Sequence, residues 1–378
     1  LSSSSAASDV YKRQVCGTRG RWFESTLLYQ KMTKEKNNKP SKELPLGFVD
    51  RQEKELLVRD FIISNIKEVM IKYGFQYLET PSFEFTDSIG KFLPDKDRPD
   101  EGVFSFQDEK NWLSLRYDLT APLARYVAKN YLEIPKPFKR YQLGTVWRNE
   151  KPGPGRYRQF YQCDADTVGT HSVVSDAEMC IMLSTIIEKI GVKKDKYILN
   201  LNNRKILNGI LETAGIGNIN DNYINSIQSD MVLRSIDKID RLGLEGVKDL
   251  LGAGRKDESG DFTTGANLNE EQINHIIQFI SINNDTNTKT LQLLQTLVGN
   301  SIVGKQGIDE LQQILEFSEY AGFSEDSIRV NPGTVRGLGY YTGPVFEVEL
   351  TEKIQNEDGI FTEIGSVAGL SLIHISEP

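Results

Sequence analysis

The sequence is poor in the residues from which fixed chemical sites are most often made. Only three cysteines occur in 378 residues, Cys16, Cys163 and Cys180, and their spacing forms neither a metal-ligand pair nor a disulfide framework. That argues against a disulfide-stapled secreted domain and points to a reducing, cytoplasmic compartment. The three histidines, His171, His275 and His374, lie far apart, so no metal site made of protein ligands is expected. No apolar run approaches the ~18 residues that span a bilayer, so no membrane partner is expected. Positive charge is also in deficit, with 45 Lys and Arg against 53 Asp and Glu. A net charge of −8 disfavours general nucleic-acid binding, which rests on neutralising phosphates. Hydrophobic content of 38% and charged content of 26% suit a globular chain of two or three domains.

Against this background one stretch is chemically sorted. Residues 155–166 read GRYRQFYQCDAD. In a strand, side chains alternate between two faces. One face then carries Arg156, Arg158, Phe160, Gln162, Asp164 and Asp166; the other carries Tyr157, Gln159, Tyr161, Cys163 and Ala165. Cations at one end can meet phosphates, the ring can stack on a base, and the acidic end can hold an amine. Residues 138–150, FKRYQLGTVWRNE, read as the preceding strand, with Arg148 and Glu150 on one face. Residues 151–155, KPGPG, make the loop between them, giving a long antiparallel hairpin with a basic tip. On pattern alone, a solvated surface hairpin with incidental charge accounts for these residues about as well.

Two further segments bear on the choice. Residues 114–122, SLRYDLTAP, place an arginine, a carboxylate and a hydroxyl at the mouth of a helix, with Thr120 as candidate cap and Pro122 in its first turn. Capping alone is the ordinary role for Asp118 and Thr120. Residues 335–347, VRGLGYYTGPVFE, combine glycines that permit close backbone approach with the paired hydroxyls of Tyr340 and Tyr341.

Together and in this order, from about residue 45 to 369, the three segments resemble the histidyl-tRNA synthetase family of class II aminoacyl-tRNA synthetases. SLRYDLTAP resembles its first histidine-binding segment, WRNEKPGPGRYRQFYQCDAD its motif 2, and VRGLGYYTG its histidine signature. The resemblance implies an α+β fold, with a class II antiparallel sheet of six or seven strands flanked by helices, a mainly helical insertion domain, and a homodimer. It also implies an enzyme that joins histidine to ATP, releasing pyrophosphate, and passes the histidyl group to tRNA(His). ATP is then a substrate accompanied by Mg2+, with no prosthetic group.

The resemblance assigns roles as well. Arg148 clamps the α-phosphate, Glu150 contacts the adenine side, and Phe160 stacks on the purine. Arg156 and Arg158 reach the outer phosphates. Asp118, Thr120 and Gln162 hold the α-amino group; Asp166 and Tyr341 pair with the imidazole, and Tyr340 lines the pocket. Arg336 stabilises charge at the reacting phosphate. Arg148, Phe160, Gln162 and Arg336 are thus expected around one hollow. For tRNA, the candidate basic surface is Lys136, Lys139, Arg140, Lys151 and Arg156, with Arg234, Lys238, Arg241, Arg255 and Lys256 further on. Ordinary solvated charge explains most of these equally.

Departures from the family pattern shape the expected domains. Gly339 stands where an acidic residue is expected, which suggests a looser pocket. After GSVAG at 365–369 the chain reads LSLIHISEP, where more glycine, motif 3 and a C-terminal anticodon-binding domain are expected. Residues 370–378 therefore read as a foreign junction and not a fold element. The first methionine is Met32, and the opening LSSSSAASDVYKRQ resembles translated linker. A transit peptide is the rival reading, against which Asp9 and Glu24 count. The expected organisation is a non-native or disordered tail at 1–31, catalytic core at 32–202, a helical insertion at 203–325, catalytic core again at 326–369, and a non-native tail at 370–378. A second function carries the same fold: the histidine-sensing regulatory subunit of an ATP phosphoribosyltransferase, which needs the amino-acid pocket but not the ATP clamp.

Periodicity predicts a helix over 51–73, capped by Asp50 and stopped by Gly74, with Leu57, Phe61, Ile66, Met70 and Tyr73 near its apolar face. Further helices are expected over 121–131 and 173–190, and strands over 75–81, 197–201, 328–336 and 343–350.

Overall fold

A computed structural model describes residues 42–89, 102–153, 155–216, 227–256, 260, 262–282, 286–335, 341–355 and 361–373. The first helix, α1 (Glu53–Lys72), carries Glu53 and Glu55 in its first turn and Lys72 in its last, matching the helix dipole. It stops where Gly74 adopts φ +82°, a conformation that costs glycine no Cβ clash. Its N-cap is Gln52, without a side-chain bond, and not Asp50. The apolar face is covered only toward the C-terminal end. Val69 and Met70 are buried, whereas Leu57 and Phe61 remain 64% and 56% exposed.

The strands follow in chain order. β1 (Gln76–Tyr77) is shorter than the expected 75–81. β2 (Phe83–Phe85), the single-turn α2 (Thr86–Ile89), β3 (Ser105–Asp108) and β4 (Asn111–Leu115) come next, and the strands among them form a small sheet in the order β2-β4-β3. α3 (Thr120–Asn130) leads to β5 (Phe138–Trp147) and β6 (Gln159–Val168). α4 (Val173–Lys189) is capped by the Ser172 side chain, which accepts from the Val174 amide. β7 (Tyr197–Asn203), α5 (Arg204–Thr213), α6 (Ile227–Ile236) and α7 (Ile239–Leu251) follow. The hairpin β8 (Gly254–Lys256) and β9 (Phe262–Thr264) precedes α8 (Glu270–Ile280), α9 (Asn287–Leu297) and α10 (Ile302–Tyr320). β10 (Ile328–Val330), β11 (Tyr341–Gln355) and β12 (Phe361–Ile373) complete the described chain.

Among the described residues the strands do not form one sheet of six or seven. They form a three-stranded sheet, β1-β5-β6, and a four-stranded sheet, β10-β7-β11-β12. β1 is parallel to β5 and β10 to β7; the other pairings in these two sheets are antiparallel. A shared apolar core joins both. Tyr141, Leu143 and Ala165 from the first sheet contribute to it with Leu199, Leu201, Phe346 and Val348 from the second. Helices from 203–325 enter the same core through Ile206, Ile210, Leu233, Phe279 and Leu311.

One expectation fails at the C-terminal end. Leu370–Ile373 are not outside the fold: Phe346 pairs with Leu370, Val345 with Ser371 and Tyr341 with Ile373. A strand ladder is made by backbone N–H and C=O groups, which these residues supply whatever their side chains. Among the described residues no helix is long and apolar enough to cross a membrane.

The chain divides into two compact units. Residues 51–150 and 159 onward form the larger; residues 42–50 with 151–158 form the smaller. Within the smaller unit the Arg158 amide donates to the Gly47 carbonyl at 2.8 Å, and Gly153 and Arg156 exchange backbone bonds at 3.2 and 2.9 Å.

Helix α5 meets α10 through glycine. A Cβ on Gly209 would lie 2.6 Å from the Gly304 Cα and 3.0 Å from the Ser301 Oγ. Backbone cannot yield as a flexible side chain does, so Gly209→Ala must push the helices apart. A loss of about 1–3 kcal/mol is expected, the ordinary cost of overpacking. Urea unfolding of the variant and the parent, compared at one pH, checks it; an unchanged midpoint would show that the contact is not tight.

Candidate active site

The β5–β6 ladder builds one polar wall. Arg140 pairs with Asp166, Gln142 with Asp164, Gly144 with Gln162 and Val146 with Phe160. Directly opposed residues point to the same side of a sheet. Arg140, Gln142, Phe160, Gln162, Asp164 and Asp166 therefore share a face, while Tyr141, Leu143, Cys163 and Ala165 turn to the apolar core. The expected sorting of side chains along the second strand holds from Gln159 onward. It does not extend to Arg156 and Arg158, because residues 155–158 lie in the smaller unit and the ladder begins at Trp147–Gln159.

The turn before α3 approaches this wall. Asp118 Oδ1 accepts from the Ala121 amide at 2.9 Å, so Asp118 and not Thr120 satisfies the first turn of the helix. Thr120 is the first helical residue and is half-buried. Arg148 links this turn to β6. Its Nε donates to the Tyr117 carbonyl at 3.2 Å, and its guanidinium lies 5.1 Å from the Phe160 ring centroid.

Arg140 makes the deeper connection. It is fully buried, and its Nη2 donates to the Leu119 carbonyl at 2.8 Å. The same Nη2 lies 2.8 Å from Asp166 Oδ2, a charge contact without the alignment of a hydrogen bond. Arg116, in the segment before Asp118, is a brace: buried, it donates to the carbonyls of Thr80 at 2.7 Å and Thr145 at 3.0 Å. Gly144 lies close beside it: a Cβ there would fall 2.6 Å from its Nη2, so the guanidinium would have to shift.

The carboxylates sense one another. Burial raises the pKa of Asp118; the Ala121 amide and Arg148 oppose the rise and Asp166 adds to it. Burial also raises Asp166, opposed by Arg140. Asp164 is pushed up to about 7, first by burial and then by Asp166, with Arg140 opposing, Asp118 adding and a Gln162 hydrogen bond opposing. Burial pushes the Cys163 thiol up to about 12, which leaves no thiolate for chemistry. Gln162 Oε1 and Asp166 Oδ2 are buried acceptors that no protein hydrogen bond satisfies. The wall thus carries a guanidinium over a ring at one end and carboxylates at the other, suited to a ligand with an anionic and a cationic part.

The remaining expected residues are dispersed. Glu150 is exposed just beyond β5. In the smaller unit Arg156 is exposed and Arg158 half-buried. Tyr341 lines a small pocket with Asn202, Asn203, Arg204, Leu207, Thr334, Val335 and Val345, to which no β6 residue contributes. Arg336, Gly339 and Tyr340 lie outside the described residues. Of the expected convergence, Arg148 and Phe160 meet and Gln162 shares their wall; Arg336 is outside the described residues.

The basic surface expected from Arg140 is overturned, since that side chain has no exposure at all. Lys139 is tied down too, with its Nζ 2.6 Å from Glu178 and 3.0 Å from the Tyr73 carbonyl. Sequence reasoning passed over Arg140 and Asp164 as site residues. Their signal was the hairpin partnership of Arg140 with Asp166, which is readable only once the register is known, and a long loop does not fix register.

Comparison with known proteins bears on this wall. The family model described as histidyl-tRNA synthetase matches residues 47–355. The histidine–tRNA ligase of Cereibacter sphaeroides is 52% identical over 340 residues, 89% of this chain and 69% of that protein. That of Dinoroseobacter shibae is 51% identical over 337 residues, 88% of this chain and 67% of its own length. A solved histidyl-tRNA synthetase from Nostoc sp. PCC 7120 superposes with a TM-score of 0.66 at 28% identity, covering 82% of this chain and 66% of that one. The chain spans about two thirds of the length of these relatives. A match of that extent and identity means that the chain belongs to the histidyl-tRNA synthetase family, the class II aminoacyl-tRNA synthetases that join histidine to its tRNA in protein synthesis.

Proposed function

We propose that the β5–β6 wall is where histidine and ATP meet, and that this chain activates histidine to histidyl-adenylate for transfer to tRNA(His). The observation that carries the reading is the placement of Arg148 over Phe160 beside a cluster of Asp118, Asp164 and Asp166. A phosphate and a purine fit the first end; an ammonium group fits the second. The substrate carboxylate is already ionised and needs no strong base to attack the α-phosphorus. Catalysis is then positioning plus stabilisation of charge on an in-line transition state.

In this reading Arg148, its plane set by the Tyr117 carbonyl, offers a permanently charged fork to the α-phosphate. Phe160 stacks on adenine and Glu150 lies at its edge. Arg156 and Arg158 take the outer phosphates, and Mg2+ enters with ATP as part of the substrate. Asp118, Thr120 and Gln162 hold the α-amino group, with Gln162 Oε1 an acceptor in need of a donor. Asp166, equally in need of one at Oδ2, holds the imidazole. Tyr340 lines the pocket and Arg336 is the second cation at the α-phosphate. Residues 203–325 are the insertion, and the chain works in the cytoplasm as a homodimer. The exposed Leu57, Val58 and Phe61 on α1 supply an apolar patch for such pairing. A histidine-sensing regulatory role would leave the Arg148–Phe160 contact without purpose.

Two outcomes are expected. Arg148→Ala lowers histidine-dependent ATP–pyrophosphate exchange by roughly 100–1,000-fold, about 3–4 kcal/mol, and Arg148→Lys does not restore it because a point charge lacks the planar fork. Arg336→Ala behaves alike. Near-full exchange at saturating substrate by either alanine variant would refute its role. Phe160→Ala, by loss of base stacking worth about 1–3 kcal/mol, raises the KM for ATP and leaves that for histidine in place; equal effects on both substrates would show that Phe160 packs the wall instead of binding adenine.

A further inference from the structure

Three carboxylates on the wall face two guanidiniums. Arg148 acts on Asp118, and Arg140 lies 2.8 Å from Asp166. Asp164 sits two residues before Asp166 on the same strand face, in register with the fully buried Gln142. It has a share of Arg140 and a hydrogen bond from Gln162. Arg140 is already committed elsewhere, donating to the Leu119 carbonyl at 2.8 Å and lying against Asp166. The charged groups that bear on Asp164 are thus Asp166, Arg140 and Asp118; the neighbouring Cys163, on the opposite face, stays a neutral thiol. The cluster is one cation short.

We propose that Asp164 is a specificity-determining carboxylate of the histidine pocket, without a cation of its own while the pocket is vacant and paired when the ammonium group of the substrate supplies one. This rests on reading the wall as the histidine site. The step balances simply: where Asp164 carries a proton, that proton leaves to solvent as the ammonium group arrives, and no covalent bond to the substrate forms or breaks. An analogue without the α-ammonium group brings no cation to offset the ionised cluster, so it forgoes that interaction and binds more weakly than histidine.

The sign of the pH dependence follows. Above pH of about 7 Asp164 is already ionised and histidine binds without expelling a proton. Below it, binding must first remove the proton, so affinity falls about tenfold for each pH unit. The test is calorimetric titration of this chain with L-histidine at pH 6 and pH 8, each in two buffers of different ionisation enthalpy, alongside Asp164→Asn and Asp164→Glu. The imidazole of the substrate titrates in this range too, but equally for every protein. The parent should bind about tenfold more weakly at pH 6 than at pH 8 relative to Asp164→Asn, and release about one more proton at pH 6. Asp164→Glu should keep the dependence. Identical pH profiles and proton release for the parent and Asp164→Asn overturn the proposal while leaving the pocket intact. Should Asp164→Asn bind nothing, pH-dependent binding by Asp164→Glu supports the proposal and pH-independent binding overturns it. No histidine binding by the folded parent at either pH sinks the histidine-site reading itself.

Discussion

A guanidinium with no exposure to water organises this molecule's polar wall. Removing Arg140 from solvent costs several kcal/mol unless donors find acceptors and the charge finds an opposite. Both answers come from segments distant in sequence: the Leu119 carbonyl, at the mouth of α3, and Asp166, on β6. One side chain thereby fixes the turn that carries Asp118 against the strand that carries Phe160, Gln162 and Asp164. Leaving one member of such a buried pair without its partner costs about 3–5 kcal/mol, so the arrangement tolerates little drift. The neighbouring carboxylates are reluctant to ionise together because they are themselves buried, and Arg140 opposes that reluctance.

Arg148 performs the corresponding task nearer the hairpin tip, but at a half-buried position where its charge stays available. The Tyr117 carbonyl holds its Nε and the Phe160 ring lies beneath its plane. Two arginines eight residues apart, one on β5 and one just past its end, thus divide two duties. The buried one sets geometry; the accessible one can meet a ligand. Arg116 completes the frame from the other direction, reaching the carbonyls of Thr80 and Thr145 close beside Gly144.

Much of this was readable in the residues, and the failures have physical causes. Alternation placed Phe160, Gln162, Asp164 and Asp166 on one face because a two-residue period survives any error in strand ends. Strand ends themselves were misjudged where proline and glycine let residues 155–158 fold with residues 42–50. Composition identified α1 but not its cover: Leu57 and Phe61 look like core residues, yet only the C-terminal half of the helix has neighbours to bury it. Asp118 and Thr120 are both good caps by type, and nothing in their order says which will meet the Ala121 amide. Arg140 was read as surface because arginine usually is. Its partner lies across a ladder whose register depends on a long loop, and register is the quantity that local sequence specifies least.

The second sheet shows how the glycine-rich signature segment is delivered from a distance. Asn202, on the face of β7 opposite the core residues Leu199 and Leu201, is buried. Its Nδ2 donates to the carbonyls of both Pro332 and Thr334 at 3.1 Å, while its Oδ1 accepts from the Asn203 amide at 2.8 Å. The Asn331 amide adds a bond to the Leu201 carbonyl at 2.9 Å. The chain entering the signature is therefore held by a strand and not left as a free loop. A buried amide suits this duty better than a hydroxyl or a carboxylate. It has two donor hydrogens for two carbonyls and an acceptor for its own backbone neighbour, so all three needs are met at once without introducing charge. On the β5–β6 wall, by contrast, the buried Arg140 and the carboxylates bring charge, and there an ionic ligand has something to answer.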